Sequence, residues 1–383
     1  MISISDENCI KFINDPTINP ITRRKIIITG KVAKMFIDKC INKCQRFQKD
    51  STINPYTNRK IVQNKSVFNK ISTDCRIEMI HNLVYLKDYF KNIVICDLKK
   101  QLKNKLGKGA CGTIYEYSIE CNYYNYNVAI KLINSPINDY EYKIQNTLFM
   151  HLLKYTTLPP VPIPILSKSC GNYYTLLIME KTDGQIDKYF YSNLANIQTT
   201  DHIVAQIICI YAILEKIGFV HKDLHLNNVM FRKLKTKINL TFKVNTIRYI
   251  IKTDILVLLS DFDSSETKMY RNNYVENLLT AQKNTDMSKF DIRHPFFDIF
   301  KILLDIKIDK KIKKSKNLNE FINKVIPVNI TYFPYKYNKI PIINEYGSLV
   351  IGASKDLLHT LNIKISSISE LLNTKFMNKF KVK

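Results

Sequence analysis

The stretch His221-Lys222-Asp223-Leu224-His225-Leu226-Asn227-Asn228 places an aspartate five residues before an asparagine. This spacing suits an Asp223 carboxylate that accepts a proton from a hydroxyl group and an Asn228 side chain that holds a metal ion on a nucleotide. An apolar segment, 201–217, precedes the stretch and is predicted to be a helix. The pattern favours phosphoryl transfer as the chemistry of this chain.

Two further aspartates follow at positions that suit this chemistry. Asp261 ends an apolar run, where a carboxylate is costly unless a cation pairs with it, and a magnesium ion on nucleotide phosphates would be that cation. Asp298 heads an apolar segment that is predicted to be helical. Between Asn228 and Asp261, alternating and β-branched residues predict an added hairpin with strands at 237–244 and 246–251.

A glycine-rich segment, 103–115, lies upstream of these residues. Its three close glycines predict a tight β-turn whose backbone N–H groups approach phosphates, and the whole chain has only nine glycines. A flexible hairpin without a ligand is the alternative explanation. Nucleotide contacts are predicted at Gly107, Lys108, Gly109, Ala110, Cys111, Gly112 and Ile114.

The next segment, Val-Ala-Ile-Lys at 128–131, is predicted to be a strand that ends in a lysine. Lys131 suits a bridge to the α and β phosphates of ATP if a carboxylate holds it in place, and Ala129 is a further candidate contact. Glu141, at the start of an amphipathic helical segment, is the candidate partner. The alternative is that Glu141 is a solvated helix residue and that another acid pairs with Lys131.

A buried strand at 175–180 leads into a polar connection. Such a connection can offer backbone groups to the edge of an adenine, so Glu180 and Thr182 are candidate contacts and Met179 would guard the pocket behind them. Any buried strand that is followed by a turn would show the same pattern. This prediction therefore rests on the order of the segments.

The first 75 residues contain a tandem repeat with an offset of 35 residues. The Asn-Pro dipeptide of each copy predicts a turn, and each copy is predicted to be a small helical hairpin. The matching positions are Cys9 with Cys44, Asn19-Pro20 with Asn54-Pro55, Arg24-Lys25-Ile26 with Arg59-Lys60-Ile61, and Cys40 with Cys75.

This repeat resembles the two-cysteine adaptor domain of large nucleocytoplasmic DNA viruses. The second copy departs from the pattern in having Ser51 where the first has Pro16. The resemblance implies that the repeats tether the chain to a viral or host protein. Paired cysteines could form disulfides or pack as apolar groups, and we favour packing in the cytosol. Zinc is less favoured, because each copy has too few ligands.

The order of motifs in the remainder of the chain resembles that of a eukaryotic-type protein kinase. The resemblance implies an ATP and Mg²⁺ site in which Asp223 is the catalytic base and Asn228 and Asp261 bind the metal. It also implies that His221 supports the catalytic loop and that Asp298 braces this loop from below. The protein substrate would offer serine or threonine hydroxyl groups.

Three departures from the kinase pattern bear on regulation and specificity. Asp263 occupies the position where most kinases have glycine, and a similar Asp-Phe-Asp sequence occurs in poxvirus-type kinases. The chain also resembles these kinases in lacking a clear Ala-Pro-Glu motif. Lys222 replaces an arginine, which weakens the anchoring of a phosphorylated activation segment. His225, a further candidate catalytic residue, replaces a lysine and so removes a fixed charge near the phosphoryl group. The preference for Ser/Thr over Tyr is therefore open.

Composition limits the partners and the location. The net charge of +25 favours polyanionic partners or simply solubility, and because the basic residues are scattered, any nucleic-acid binding would be non-specific. No apolar run reaches the roughly 18 residues of a membrane span, and the start of the chain lacks a secretion signal. We expect a soluble protein of the host cytoplasm or the virion. Five cysteines of the kinase-like region are expected to be buried thiols: Cys96, Cys111, Cys121, Cys170 and Cys209.

These observations predict an α+β, bilobal protein kinase-like fold that follows two small helical adaptor repeats. The predicted boundaries are 1–40 and 41–78 for the repeats, 79–97 for a linker, 98–180 for the N-lobe and 181–383 for the C-lobe. The favoured function is a protein serine/threonine kinase of a large DNA virus. The alternatives are a catalytically weak or inactive pseudokinase that acts as a binding scaffold, and a small-molecule phosphotransferase.

Overall fold

The computed structural model of the protein divides into two compact units, Met1–Leu102 and Lys103–Lys383. The residues that the structure describes are 8, 11–12, 18–27, 30–36, 53–54, 59–62, 67, 86, 89–90, 94–109, 112–121, 124–135, 139–192, 195–271, 296–326, 332–334, 339–341 and 367–382.

Helices and strands are both abundant in these residues, which confirms the α+β class. The helices are α1 (Lys31–Phe36), α2 (Tyr140–Leu152), α3 (Ile186–Tyr191), α4 (Ile197–Leu214), α5 (Phe296–Ile308), α6 (Lys316–Val325), α7 (Ile368–Leu372) and α8 (Lys375–Asn378), with 3₁₀ turns at Ile95–Gln101, Glu215–Ile217 and Leu226–Asn228. The strands are β1 (Asn104–Lys108), β2 (Gly112–Cys121), β3 (Tyr124–Ile133), β4 (Pro164–Cys170), β5 (Tyr174–Glu180), β6 (Gly184–Gln185), β7 (Val229–Val244), β8 (Ile247–Leu259), β9 (Tyr332–Pro334), β10 (Lys339–Pro341) and β11 (Lys381–Val382).

The first unit shows the same short antiparallel bridge in both sequence repeats, Ile18 with Lys25 and Ile53 with Lys60. In the first copy, the side-chain oxygen of Asn19 accepts bonds from the backbone N–H groups two and three residues later, at 2.9 and 3.1 Å. An asparagine that bonds its own backbone in this way stabilises a turn. The two copies thus share the bridge that flanks the Asn-Pro dipeptide.

The first unit also contains helix α1, whose Phe36 is buried and stacks on Phe12 with ring centroids 5.0 Å apart. Asn8, Lys11 and Phe12 in the first copy and Val67 in the second are also helical, but the bounds of these helices lie outside the described residues. The helical-hairpin form of the repeats therefore stays a prediction.

The second unit begins with a five-stranded antiparallel sheet in the order β1-β2-β3-β5-β4. Helix α2 packs against β4. Its buried apolar residues, Ile144, Leu148, Phe149 and Leu152, recur at helical spacing. This arrangement places the start of α2 near the end of β3.

The remainder of the second unit is built around helix α4, which is buried along most of its length. The side chain of Asn196 caps the helix by accepting a bond from the N–H of Thr199 at 2.9 Å. Gly218, with a φ of +60°, follows the 3₁₀ turn after α4 and lets the chain reverse. The chain then enters the stretch that begins at His221.

Strands β7 and β8 form a long antiparallel hairpin that packs on α4. Their register runs from Val229 opposite Leu259 to Val244 opposite Ile247, where Asn245 turns the chain with a φ of +54°. The predicted hairpin is therefore present, and its strands are longer than predicted. The hairpin joins β6 and β11 in a four-stranded sheet with the order β11-β8-β7-β6.

The cysteines only partly match their prediction. Cys209 is buried and free, as expected, whereas Cys96 and Cys170 are each disulfide-bonded, so the prediction of thiols is wrong at these two positions. Sequence spacing does not tell which sulfur atoms meet. The side chains of the remaining six lie outside the described residues: Cys9, Cys40, Cys44, Cys75, Cys111 and Cys121.

Among the described residues, one helical stretch, Ile197–Ile217, is long and apolar enough to cross a bilayer. The buried share of that stretch is 83%. A helix that is apolar on all sides is expected at the centre of a large core as well as in a membrane. The apolar composition of α4 is thus explained by its position under the β7–β8 hairpin.

The amide of Gln206 joins α4 to β8 at the centre of this core. Its Nε2 donates to the carbonyl of Ile255 and its Oε1 accepts from the N–H of Val257, both at 3.0 Å, and the residue is fully buried. Both bonds satisfy backbone groups that have no access to water. One side chain therefore fixes the helix against the strand that leads to Asp261.

We predict that Gln206→Leu lowers the free energy of unfolding by about 2–4 kcal/mol, because two buried backbone groups lose their partner. Urea denaturation followed by circular dichroism measures the change. Gln198→Leu, on the exposed start of the same helix, is the control and should change stability by less than about 0.5 kcal/mol. Equal stability of the two variants would contradict the role assigned to Gln206.

Candidate active site

The β7–β8 hairpin brings Asn228 and Asp261 together, although they are far apart in sequence. Asn228 immediately precedes β7, and Asp261 follows β8 by two residues. Ser260 links the two ends, because its N–H and its hydroxyl both donate to the carbonyl of Asn228, at 3.1 and 2.9 Å. The two predicted metal ligands therefore lie side by side at the open end of the hairpin.

The buried carboxylate of Asp298, on α5, holds the start of the candidate catalytic loop. It accepts bonds from the N–H groups of His221 and Lys222, at 2.7 and 2.9 Å. The Nζ of Lys301, one turn further along α5, donates to the carbonyl of Lys222 at 2.7 Å. Lys222 has a φ of +68°, a costly conformation for a side chain with a Cβ, and these three bonds stabilise it.

The ring of His221 links the same loop to the end of β8. Its Nε2 lies 2.8 Å from the carbonyl oxygen of Ser260, and its ring centroid lies 5.5 Å from that of Phe262. The residue is fully buried. Asp261, which lies between these two contacts in sequence, has a φ of +65°. The loop and the aspartate are thus held in one packed arrangement.

The Lys131 ammonium lies between two carboxylates. Its Nζ is 3.0 and 2.9 Å from the two oxygens of Glu141 and 2.6 Å from Oδ1 of Asp261. Lys131 and Glu141 are buried, whereas the Asp261 side chain is 40% exposed. Strand β3, helix α2 and the end of the β7–β8 hairpin meet at this point.

The charges of this cluster set its protonation. Burial by itself lowers the pKa of Lys131, but the carboxylates of Glu141 and Asp261 outweigh burial and raise that pKa above its ordinary value. Burial raises the pKa of Asp261, but the Lys131 ammonium outweighs it and the net shift is downward. Lys131 is therefore charged and Asp261 ionised near neutral pH.

Asp223 lies beside Asn228 in the candidate catalytic loop. The Nδ2 of Asn228 donates to the backbone carbonyl of Asp223 at 2.8 Å and to its carboxylate at 3.3 Å. Asn228 is buried, whereas the side chain of Asp223 is 46% exposed. The asparagine therefore orients a carboxylate that a substrate can reach.

The Nε2 of His225 lies 3.8 Å from the carboxylate of Asp223. Burial lowers the pKa of His225, although Asp223 opposes the shift. The imidazole is therefore mainly neutral at pH 7. It can donate a hydrogen bond near the carboxylate, but it does not supply the permanent charge of a lysine.

The donor atoms suit a magnesium ion that also binds a nucleotide. The carboxylate of Asp261 and the amide oxygen of Asn228 are oxygen ligands, which Mg²⁺ prefers, and it commonly takes further oxygens from phosphates. Within the described ranges, no group of three or more His, Cys, Asp or Glu side chains could hold a metal by itself. The residues present therefore fit a metal that arrives with phosphate oxygens.

Several predicted nucleotide contacts lie on one face of the five-stranded sheet. Ile114 is opposite Lys131, and Ala129, two residues before Lys131, is opposite Met179. Directly paired residues and residues two apart on a strand share a face. Ile114, Ala129 and Met179 therefore lie on the same face of the sheet as Lys131.

The glycine-rich segment forms the β1–β2 hairpin, which the N–H of Gly109 closes by donating to the carbonyl of Gly112 at 2.9 Å. A Cβ at Gly112 would lie 2.3 Å from the carbonyl oxygen of Leu132, so the packing of β2 on β3 requires glycine there. A Cβ at Gly107 or Gly109 would meet no described atom within 4 Å. Ala110 and Cys111 lie outside the described residues.

The predicted hinge takes part in two ion pairs that the sequence pattern did not indicate. Glu180 pairs with Arg232 on β7, and its Oε2 also accepts from the N–H of Ile163 at 3.1 Å. Lys181 pairs with Glu116 on β2 at 2.6 Å. Thr182, the other predicted contact, is half-buried. The alternation of β2, which puts Glu116 on the face of Ile114, is the one sequence signal that pointed to this residue.

Comparison with known families agrees with both resemblances. Residues 178–357 match the family model of the poxvirus serine/threonine protein kinases. This match includes Asp223, Asn228, Asp261 and Asp298. Residues 8–42 and 43–76 each match the model of the 2-cysteine adaptor domain. No curated protein sequence matches the chain. The two resemblances inferred from the sequence are thus confirmed.

We predict that Gly112→Ala lowers the free energy of unfolding by about 1–3 kcal/mol, because the added methyl group overlaps the backbone of β3. Gly107→Ala and Gly109→Ala are matched controls in the same hairpin and should change stability by less than about 0.5 kcal/mol. Thermal and urea denaturation of the three variants measure the difference. An equal loss of stability in all three variants would show that the close approach of Gly112 to β3 does not restrict that position to glycine.

We also predict that Asp298→Ala lowers the free energy of unfolding by about 2–4 kcal/mol, because the N–H groups of His221 and Lys222 lose their acceptor. Asp298→Asn keeps one acceptor oxygen and should lose less. Glu320→Ala, at an exposed position of α6, is the control. If Asp298→Ala denatures at the same urea concentration as that control, Asp298 does not brace the loop.

Proposed function

We propose that the chain is a protein kinase that transfers the γ-phosphoryl group of MgATP to serine or threonine hydroxyl groups of proteins. The observation that carries this proposal is that Asp261, which is partly exposed, meets the buried pair of Lys131 and Glu141. The β7–β8 hairpin sets Asn228 next to Asp261, and Asn228 bonds Asp223. Four groups with complementary tasks in phosphoryl transfer thus surround one open position in the second unit.

Lys131 would bind the α and β phosphates. Its charge is held by Glu141, which is buried and bonds it through both oxygens. The Nζ of Lys131 also contacts the carboxylate of Asp261 at 2.6 Å, and this carboxylate is partly exposed to solvent. Phosphate oxygens would take the place of this carboxylate on the lysine, and Asp261 would then be available to the metal.

Asn228 and Asp261 would hold Mg²⁺, which supplies charge neutralisation for the phosphates when it is bound. The backbone around both residues is held before any ligand arrives, since the hydroxyl of Ser260 bonds the carbonyl of Asn228 and the ring of His221 bonds the carbonyl of Ser260. A backbone that is already in place reduces the reorganisation that accompanies the reaction. Within this frame, only the Asp261 carboxylate has to exchange Lys131 for the metal.

Asp223 would orient the substrate hydroxyl and accept its proton. Its carboxylate is half exposed, and the amide of Asn228 fixes its position at 3.3 Å. A positioned base of this kind contributes about 10²–10⁴-fold to the rate. His225, mainly neutral, would donate a hydrogen bond to the transferring group, so that a weaker contact takes the role that lysine has in other kinases.

The adenine would lie against Ile114, Ala129 and Met179, which share one face of the sheet. The backbone from Glu180 to Thr182 would contact its polar edge. Gly107 and Gly109 have free space where a side chain would be, which suits a loop that covers phosphates.

The two adaptor repeats would tether the kinase to a viral or host protein and so select its substrates. This part of the proposal rests on the family match of residues 8–42 and 43–76 and on the repeated bridge in both copies. The host cytoplasm or the virion would be the site of action, and any contact with nucleic acid would be non-specific.

The test uses the purified full-length chain with radiolabelled ATP, Mg²⁺ and a mixture of basic and acidic model proteins. We predict label on serine or threonine, and an Asp223→Asn loss of about 10²–10⁴-fold in rate with ATP binding retained. Glu320→Gln, the same carboxylate-to-amide change at an exposed position, should leave the rate unchanged. Chelation of Mg²⁺ should abolish transfer.

Other outcomes would favour the alternative functions. ATP binding without transfer to any protein would indicate a pseudokinase scaffold. Label that appears only on a small metabolite would indicate a small-molecule phosphotransferase. Transfer that persists in Asp223→Asn would contradict the role of Asp223, whichever acceptor is labelled.

A further inference from the structure

A buried ion pair connects the candidate catalytic loop to the segment that follows Asp261. The Nζ of Lys222 lies 2.6 Å from Oε2 of Glu266, and the two side chains are 5% and 0% exposed. Arg271 adds a second positive charge 3.7 Å from the same oxygen. Burying such a pair costs desolvation energy, and breaking it leaves one charge buried without compensation. The pair is therefore a strong constraint on where Glu266 can lie.

The backbone of the same segment is paired with the approach to the catalytic loop. Val220 and Glu266 exchange two backbone hydrogen bonds, at 3.0 and 2.9 Å, and the N–H of Lys268 donates to the carbonyl of Ile217 at 2.9 Å. The hydroxyl of Ser265 donates to the carbonyl of His221 at 3.3 Å. Residues 265–268 thus lie alongside residues 217–221, joined by an isolated antiparallel bridge at Val220 and Glu266.

Helix α2 also contacts this segment. The hydroxyl of Tyr140 lies 2.8 Å from the carbonyl oxygen of Ser265 and 3.1 Å from that of Tyr270, and these two acceptors share its one proton. Tyr140 immediately precedes Glu141, the partner of Lys131. The position of residues 265–270 is therefore coupled to the two residues on which the nucleotide site depends.

We propose that Lys222 and Glu266 are positioning residues for phosphoryl transfer, and that their ion pair holds residues 265–270 in the working arrangement without any phosphate on the protein. This inference rests on the proposed function. The ammonium of Lys222 is almost inaccessible and is paired with Glu266 of its own chain, so a phosphate could bind this lysine only by displacing that carboxylate. The lysine that replaces the usual arginine still anchors the segment, through Glu266.

The ion pair acts on the reaction through the backbone of Lys222. This residue directly precedes Asp223 and has a φ of +68°, with its N–H bonded to Asp298 and its carbonyl bonded to Lys301. Release of its side chain removes the contact that completes this arrangement. Displacement of a catalytic group by about 1 Å can cost about 10²-fold in rate. The effect should therefore appear in kcat more than in the KM for ATP.

The first experiment measures hydrogen exchange of residues 262–271 in Glu266→Gln and Lys222→Met. Both should speed the exchange of the amides of Glu266 and Lys268 by about tenfold or more, since the pair no longer holds the segment. Lys222→Arg, which keeps the charge, should restore slow exchange. Lys143→Met, which breaks the exposed pair between Lys143 on α2 and Asp139 just before this helix, is the control and should leave the exchange of residues 262–271 unchanged. Glu266→Gln, nearly isosteric, keeps the test valid if Lys222→Met does not fold.

The second experiment measures transfer kinetics of the same variants and of the wild-type protein before and after complete dephosphorylation by a broad-specificity phosphatase. We expect kcat to fall about 10- to 100-fold in Glu266→Gln and Lys222→Met, with the KM for ATP within about twofold of wild type. The phosphate-free wild-type protein should keep its rate and its slow exchange. Loss of either on dephosphorylation would overturn the proposal, as would unchanged exchange and kcat in both variants.

The two proposals fail in different ways. If the wild-type protein transfers no phosphoryl group, the proposed function fails, while the exchange rates still test whether the ion pair holds the segment. If the wild-type protein is active and both variants keep its kcat and its slow exchange, the proposed function stands and the positioning role is wrong.

Discussion

The candidate site is organised by the two ion pairs that the ammonium group of Lys131 forms with the carboxylates of Glu141 and Asp261. A single buried lysine would be costly, and so would a buried glutamate, but together they compensate each other. Each of the three residues comes from a different element. Strand β3, helix α2 and the end of the β7–β8 hairpin can therefore share this arrangement only if all of them are correctly packed.

Around this cluster, a few side chains stabilise two residues whose backbone conformation is unfavourable. Lys222 and Asp261 both have a positive φ, and each lies within a dense set of contacts. Asp298 holds the start of the loop, and His221 links it to the end of β8. Strain of this kind persists only where the surroundings determine the conformation, and it is common at functional sites.

The sequence allowed much of the site to be anticipated. The pattern of apolar residues predicted α2 and the apolar segment that became α4, and it predicted a hairpin between Asn228 and Asp261. It also proposed Glu141 as the partner of Lys131, and the structure places the two side chains 2.9 Å apart. The helix and hairpin predictions were possible because apolar periodicity and β-branched content are properties of the local sequence. The prediction of thiols was wrong at Cys96 and Cys170, because a disulfide depends on which cysteine side chains meet in the folded protein.

The ion pairs that join distant segments could not be predicted in the same way. Lys222 and Glu266 are separated by the whole β7–β8 hairpin, and Glu116 and Lys181 lie on elements that meet only in the folded sheet. The sequence around a charged residue does not indicate whether that residue is solvated or pairs with a buried partner. The register of the strands and the packing of α2 determine which charged side chains are desolvated.

Residue identity and spacing established the chemical types available at this site: a lysine at the end of a strand, an aspartate and an asparagine at a fixed spacing, a second aspartate after an apolar run, and a tandem repeat ahead of them. That these groups meet, and that Lys222 pairs with Glu266 in the segment after Asp261, follows from the packing of the folded chain. A residue type sets what a side chain can bond, whereas desolvation and distance, which depend on the packed chain, set what it does bond.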